Sequence, residues 1–326
     1  MAQGRTDILQ RLAIKAALPG PDGIPVYEER SMNANPAEGE EVVTILAAAL
    51  TNLDIAVATG RHYFSAERQS AIIGQEAVAV DAQGRRHFYP VTSLVSPFGS
   101  MAERALARSS KALPIPDGVP DELAAALGNA GLAAWLPLSW RARLQPGESV
   151  LILGATGACG LIAVAAARLL GAGRVIAVGR NRAKLDLAGT LGADRMIAAD
   201  DSAALAEAMR NCGENVDVII DYLYGPAAEA ALERANGGAR MVQIGSPLAP
   251  AITVPAQAMR RHCLDILGFA YYHAPVEMQR QAYAELCRHA AAGRIHIDHA
   301  AHPMTEIASL WQRQRQGGAP RFVLRP

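Results

Sequence analysis

In the middle of the chain, short apolar runs alternate with helical segments. The runs show no in-and-out alternation, the mark of strands covered on both faces. They predict strands at 149–153, 174–178, 195–198, 216–220, 241–244 and 265–270. Helices are expected between them, at 158–170, 182–191, 203–211 and 227–235. Repeated strand–helix units predict an α/β architecture with a doubly wound, parallel, six-stranded sheet.

The first third reads differently. Residues 42–46 and 76–80 are short and β-branched, and Gly, Pro and Asp separate them. Pro114, Pro116, Gly118 and Pro120 break the chain, and Asp121 then stands at a plausible N-cap of an Ala-rich helix. The last third predicts a helix at 276–292 stopped by Gly293, a strand around 295–297, a helix from Thr305, and an edge strand at 321–326.

Composition narrows the classes. With 326 residues, 51% of them apolar, the chain can bury a full core and is too apolar to be disordered. Its 31 basic residues balance 31 acidic ones. A general binder of nucleic acid or anionic membrane needs a basic surplus, so neither partner is expected. No uncharged apolar run of ~20 residues exists, and no signal peptide is visible. Cys159, Cys212, Cys263 and Cys287 are scattered without a C-x-x-C pair. They predict reduced thiols and a cytoplasmic setting.

The chemistry starts at the first parallel strand, which runs into Gly154-Ala155-Thr156-Gly157-Ala158-Cys159-Gly160 and at once into a helix. Counted back from Gly160, this is the dinucleotide fingerprint with Ala155 in the first glycine slot. Gly157 lets the backbone approach a pyrophosphate, and the helix N-terminus offers it free N–H groups. About 20 residues on, an NAD site usually carries a carboxylate for the ribose. Here that place reads Gly179-Arg180-Asn181-Arg182. Arg180 can pair with a 2′-phosphate, so the expected cofactor is NADPH.

With these motifs the chain resembles the zinc-free, quinone oxidoreductase-like branch of the medium-chain dehydrogenase/reductase superfamily. Supporting segments are 114–119, 124–132, Gln145-Pro146-Gly147-Glu148, Leu191-Gly192-Ala193-Asp194, 216–221 and 303–307, in the expected order. The resemblance implies a GroES-like, mostly-β catalytic domain at 1–129 and 271–326, with a Rossmann NADP(H)-binding domain at 130–270. It implies a homodimer through the edge strand near 265–270. It also implies that Gly245 and Ser246 touch the nicotinamide side of the cofactor, with Asn129, Tyr222 and Phe269 as further cofactor contacts.

The zinc-dependent branch would place metal ligands at Thr51 and Gln75, and neither residue type suits zinc. No Cys lies between Met1 and Ala158, so no metal is expected. The group His296, Asp298, His299 and His302 reads as a His-rich strand and loop.

Without a metal, a side chain or water must stabilise the charge that develops on a substrate oxygen. By resemblance the active-site loop is Thr51-Asn52-Leu53-Asp54, with Tyr63 able to line the cleft. Thr51 stands where the family usually has Asn, so Thr51 or the shifted Asn52 could serve. Local turn bonding by Asn52 and Asp54 is the plain alternative. The expected activity is hydride transfer to a small-molecule quinone, enone or other carbonyl. An enoyl or alkenal C=C reductase and a catalytically weak NADPH-binding regulator remain open.

Overall fold

A computed structural model describes residues 10–65, 71–317 and 320–326. The chain forms two compact units. One runs up to Asn129 and resumes at Asp298, and the other spans Ala130–Ile297.

The first unit begins with an antiparallel hairpin of β1 (Gln10–Pro19) and β2 (Pro25–Ala34), paired from Gln10↔Ala34 to Pro19↔Pro25. Along β1, Leu12, Ile14 and Ala16 are buried while Ala13 and Lys15 are exposed. That alternation fixes which face meets the core. Next come β3 (Glu40–Ala49), α1 (Asn52–Ala58), β4 (Ala77–Val80), β5 (Arg86–Tyr89), β6 (Arg104–Arg108) and β7 (Leu113–Pro114). The helix α2 (Asp121–Leu136) then carries the chain into the second unit, with a kink at Gly128.

The second unit is the parallel sheet. Its strands are β8 (Ser149–Leu153), β9 (Arg174–Gly179), β10 (Arg195–Ala198), β11 (Val216–Asp221), β12 (Ala235–Gln243) and β13 (Asp265–Gly268). Between them lie α3 (Ala158–Leu169), α4 (Arg182–Thr190), α5 (Ser202–Arg210), α6 (Pro226–Leu232) and α7 (Ala256–His262), and α8 (Val276–Ala291) follows. The strand order is β10-β9-β8-β11-β12-β13, every pair parallel. This is the doubly wound order, with its reversal beside β8. Leu151, Ile176, Met209, Ile219 and Met241 belong to its core.

The chain then returns to the first unit as β14 (His299–Pro303), α9 (Ile307–Gln316) and β15 (Arg321–Arg325). The sheet there is ordered β14-β15-β3-β4-β5-β7, with β6 also on β3. The α/β class, with a mostly-β unit beside a Rossmann-type unit, is therefore as expected.

Four details depart from the sequence reading. β15 is an interior strand, because β14 pairs with one side of it and β3 with the other. The late strand lies at His299–Pro303 rather than 295–297. Ile295 and Ile297 are apolar because they are buried, not because they pair. The helix expected from Thr305 starts at Ile307, after a single tight turn at Met304–Glu306. Residues 271–297 cluster with the parallel-sheet unit instead of the tail. Packing explains the last point: Leu286 of α8 closes on Gly131, and the rings of His289 and Trp135 lie 5.6 Å apart. None of the four cysteines forms a disulfide among the described residues, and no helix among them is long and apolar enough to cross a membrane.

Candidate functional site

At the end of β8 the chain turns at Gly154, whose φ of 86° disfavours other residues. The N–H groups of Gly154 and Ala155 both donate to the Val178 carbonyl at 2.9 Å, tying the turn to β9. Ala155 is fully buried, so the residue in the first glycine slot packs into the core. Gly157 is the N-cap of α3, and no side chain caps that helix. Gly157 and Ala158 are exposed. The first N–H groups of α3 are thus open to an anion. A Cβ on Gly160 would stand 2.2 Å from the Gly154 carbonyl oxygen, so only glycine lets α3 start this close to the turn. Cys159 is half-buried in the first turn of α3.

β9 ends at Gly179, where a Cβ would meet the Thr156 side chain at 2.6 Å. The space at this glycine is therefore already filled by the preceding turn. Arg180 and Arg182 are exposed and form no ion pair among the described residues. Asn181 caps α4, its Oδ1 accepting the Lys184 N–H at 3.0 Å. The first turn of α4 holds no acid.

Beyond β11 and β12 one carboxylate organises both loops. Asp221 is fully buried, and its Oδ1 accepts N–H groups from Leu223 (2.8 Å) and Tyr224 (2.9 Å). Its backbone carbonyl accepts those of Ile244 and Gly245. Burial raises its pKa to about 6, against the pull of the two N–H groups. Its Oδ2 is buried without a partner among the described residues. The sequence reading missed Asp221; an acid closing the apolar run Val216–Asp221 was the available signal. Tyr222 donates its hydroxyl to the Ala133 carbonyl at 2.9 Å, and burial drives its pKa well up. A Cβ on Gly245 would stand 2.8 Å from the Tyr222 carbonyl oxygen, so these loops touch. After β13, the Phe269 N–H donates to Gln243. The Phe269 ring lines a cavity of about 410 Å³ with Trp140, Arg141 and His273. The sites predicted at Gly154–Gly160, Gly179–Asn181, Tyr222, Gly245, Ser246 and Phe269 thus all follow C-terminal ends of the parallel strands, the edge where open sheets bind ligands.

The other predicted residues lie in the first unit. Thr51 is the N-cap of α1 and forms a capping box with Asp54. The Asp54 carboxylate accepts the Thr51 N–H at 2.7 Å and its Oγ–H at 2.6 Å, while the Asp54 N–H donates to Thr51 Oγ1 at 3.2 Å. Asp54 is buried, which raises its pKa to about 6; Thr51, the Gln75 N–H and Arg321 oppose the rise. Asn52 is exposed, and its Oδ1 accepts the Gln314 amide of α9 at 2.9 Å. Tyr63 is 62% exposed and stacks on His62 at 4.0 Å. The Asn129 N–H, freed by the kink at Gly128, donates to Glu76 Oε1 at 3.1 Å.

Residues 158–291 match the family model described as zinc-binding dehydrogenase. A mycocerosic acid synthase-like polyketide synthase of Mycobacterium tuberculosis is 31% identical over 220 residues, 64% of this chain and 10% of that protein. An L-threonine 3-dehydrogenase of Pectobacterium carotovorum is 36% identical over 172 residues, 51% of this chain and 49% of that protein. The chain thus spans about a tenth of the one and about half of the other. The quinone oxidoreductase from Thermus thermophilus, solved also in complex with NADPH, is 27% identical; the match covers 96% of this chain and 100% of that one at a TM-score of 0.73. Over residues 158–291, and in its fold along the whole chain, the protein is similar to the medium-chain dehydrogenase/reductases.

In this chain the two places expected to carry zinc ligands hold Thr51, engaged in the capping box, and Gln75. Among the described residues no group of three or more His, Cys, Asp or Glu is placed to hold a metal ion. His302 Nδ1 lies 3.0 Å from Glu306 Oε2, a surface pair. These residues do not fit a zinc centre, although the matching family model carries zinc in its description.

Proposed function

We propose that this chain is an NADPH-dependent, zinc-independent oxidoreductase that reduces a quinone or another conjugated carbonyl. The observation that carries the reading is an uncapped, exposed helix start at Gly157 together with Arg180 and Arg182, which follow the neighbouring strand and form no ion pair among the described residues. A dinucleotide diphosphate with an extra 2′-phosphate is complementary to both. When bound, NADPH supplies the hydride. The first N–H groups of α3 hold the diphosphate, Arg180 holds the 2′-phosphate, and Gly245, Ser246 and Phe269 flank the nicotinamide. The NADPH complex of the Thermus thermophilus quinone oxidoreductase supports this choice of cofactor.

One observation favours a second reading. The match to a polyketide synthase fits reduction of an activated C=C bond in an acyl thioester. Both reactions need the same hydride geometry, and the acceptor decides between them.

The test is NADPH oxidation, with NADH in parallel, against quinones, enones, enals and acyl thioesters. Arg180→Asp is expected to weaken NADPH binding at least ~10-fold more than NADH binding, as loss of a charged hydrogen bond predicts. Equal losses would sink the 2′-phosphate assignment. We also propose a homodimer that joins β13 edges, since β13 ends the six-stranded sheet. A monomer in solution scattering would remove that claim alone.

A further inference from the structure

We infer that Thr156 and Gly179 act as one cofactor-selecting element, in which the Thr156 side chain fills the volume from which an NAD-selecting carboxylate would have to start; this rests on the NADPH reading above and adds a residue to it. Both residues lie in the second unit.

Gly179 is the last residue of β9, the place where a sheet of this kind puts the acid that bonds the ribose of NAD. Its backbone is no obstacle to such an acid. Gly179 is not among the glycines with positive φ, so its φ lies outside the region that favours glycine. The obstacle is one side chain. The three heavy atoms nearest to an added Cβ all belong to Thr156: Cγ2 at 2.6 Å, Oγ1 at 2.8 Å and Cβ at 3.2 Å. Gly160 and Gly245 differ, because the atoms nearest to an added Cβ there are backbone. At Gly179 a substitution of Thr156 alone would open the space.

The backbone holds the two residues against each other. The Gly154 and Ala155 N–H groups both donate to the Val178 carbonyl at 2.9 Å, and Thr156 and Gly179 are the next residues of the two segments. The Gly157 N–H donates to the Gly154 carbonyl at 3.1 Å and closes the turn around Thr156. From the other side, the Gly179 carbonyl accepts the Ala199 N–H at 3.3 Å, and Gly179 pairs with Ala198 of β10. Rotation of Thr156 does not clear the space either. Both branches of its Cβ face Gly179, so every staggered rotamer leaves at least one heavy branch on that side.

The contact has an electrostatic consequence. An acid at 179 would stand beside Arg180 and repel a 2′-phosphate. With that acid kept out, the residue after the strand is an exposed arginine that forms no ion pair among the described residues. Thr156 thus acts on the choice of dinucleotide by exclusion, and reversing the choice takes a change at both positions.

The experiment is a double-mutant cycle. Gly179→Asp, Thr156→Ala and the two combined are compared with wild type by thermal melting and by fluorescence titration with NADPH and with NADH. Gly179→Ala, alone and combined with Thr156→Ala, repeats the steric half of the test without a charge. We expect Gly179→Asp and Gly179→Ala to melt below wild type, and Thr156→Ala to raise the melting point of each. Thr156→Ala with Gly179→Asp should bind NADH at least ~10-fold tighter than Gly179→Asp alone does, the gain of one charge-assisted hydrogen bond. The same double variant should bind NADPH at least ~10-fold more weakly than wild type, through repulsion of the 2′-phosphate. A double variant that melts no higher than its own Gly179 single variant overturns the inference. So does a Gly179→Asp variant that binds NADH as tightly as the double variant. Wild type that binds NADPH no tighter than NADH overturns the NADPH reading instead.

Discussion

Thr51 Oγ1 lies 2.6 Å from Asp54 Oδ2 and donates its only proton to that carboxylate. The sequence offered Thr51 as a donor to substrate, while the structure engages it at the start of α1. Thr51→Val should therefore cost stability, about 1–2 kcal/mol for the lost cap, and Thr51→Ser should restore most of it. Urea unfolding measures both. A valine variant as stable as wild type would mean that the capping box does not hold α1.

The burial of Asp54 has a pH signature. Its pKa rises from the ordinary 3.8 to about 6 in the folded protein. Between those values the folded state keeps a proton that the unfolded chain has lost. Stability is then greatest below pH ~4 and falls as pH rises to ~6. Asp221, also raised to about 6, adds to the same slope. Asp54→Asn should make the decline shallower, by on the order of 3 kcal/mol across the window. Unfolding curves collected from pH 4 to 7 test this, and an unchanged slope would contradict the assignment to Asp54.

Gly160→Ala should be damaging, because the added methyl would stand 2.2 Å from the Gly154 oxygen and 2.6 Å from the Ala155 Cα. Both are backbone atoms, so the start of α3 must shift. A loss of about 2 kcal/mol or more in stability, with at least ~10-fold weaker NADPH binding, is expected. Gly237→Ala is the control, since its Cβ would meet nothing within 4 Å. Equal behaviour of the two variants in melting and fluorescence titration would refute the close approach.

Tyr222→Phe should leave the pH–rate profile unmoved. The hydroxyl is donated to the Ala133 carbonyl, and burial holds its pKa well above the ordinary value. It is a poor proton source near neutrality. The variant should lose about 1 kcal/mol of stability from the broken hydrogen bond. A shifted acidic or basic limb in kcat would instead mark Tyr222 as a proton donor.

Legibility in the sequence followed local determination. β8 and β10 were read residue for residue; β8, buried from Val150 to Leu153, is an unbroken apolar run. β12 was read from its second half only, since Asn236, Gly237 and Gly238 interrupt the pattern in its first half. β2 went unread: Glu28, Glu29 and Arg30 break its apolar pattern, and its place depends on pairing with β1. β14 was displaced because its place depends on β15, a strand far along the chain. α1 is short, yet Thr51-x-x-Asp54 is a capping-box spacing that could have revealed it. The glycine turn and Arg180 were legible because their chemistry is written in consecutive residues. The buried carboxylate of Asp221, with its Oδ2 unpartnered among the described residues, was not, because only folding shows which polar groups lack partners.

The interior position of β15 bears on the order in which the protein is made. β3 emerges from the ribosome early, but the strand that pairs with its Ala48 and Ala49 is translated more than 270 residues later, as Val323 and Leu324. The whole parallel-sheet unit is synthesised in between. That unit can reach its native state while the first unit still lacks an interior strand, since domains fold as units during synthesis. Until β15 is made the β3 edge stays open and needs protection, which makes the first unit the one that waits on a strand encoded after the second.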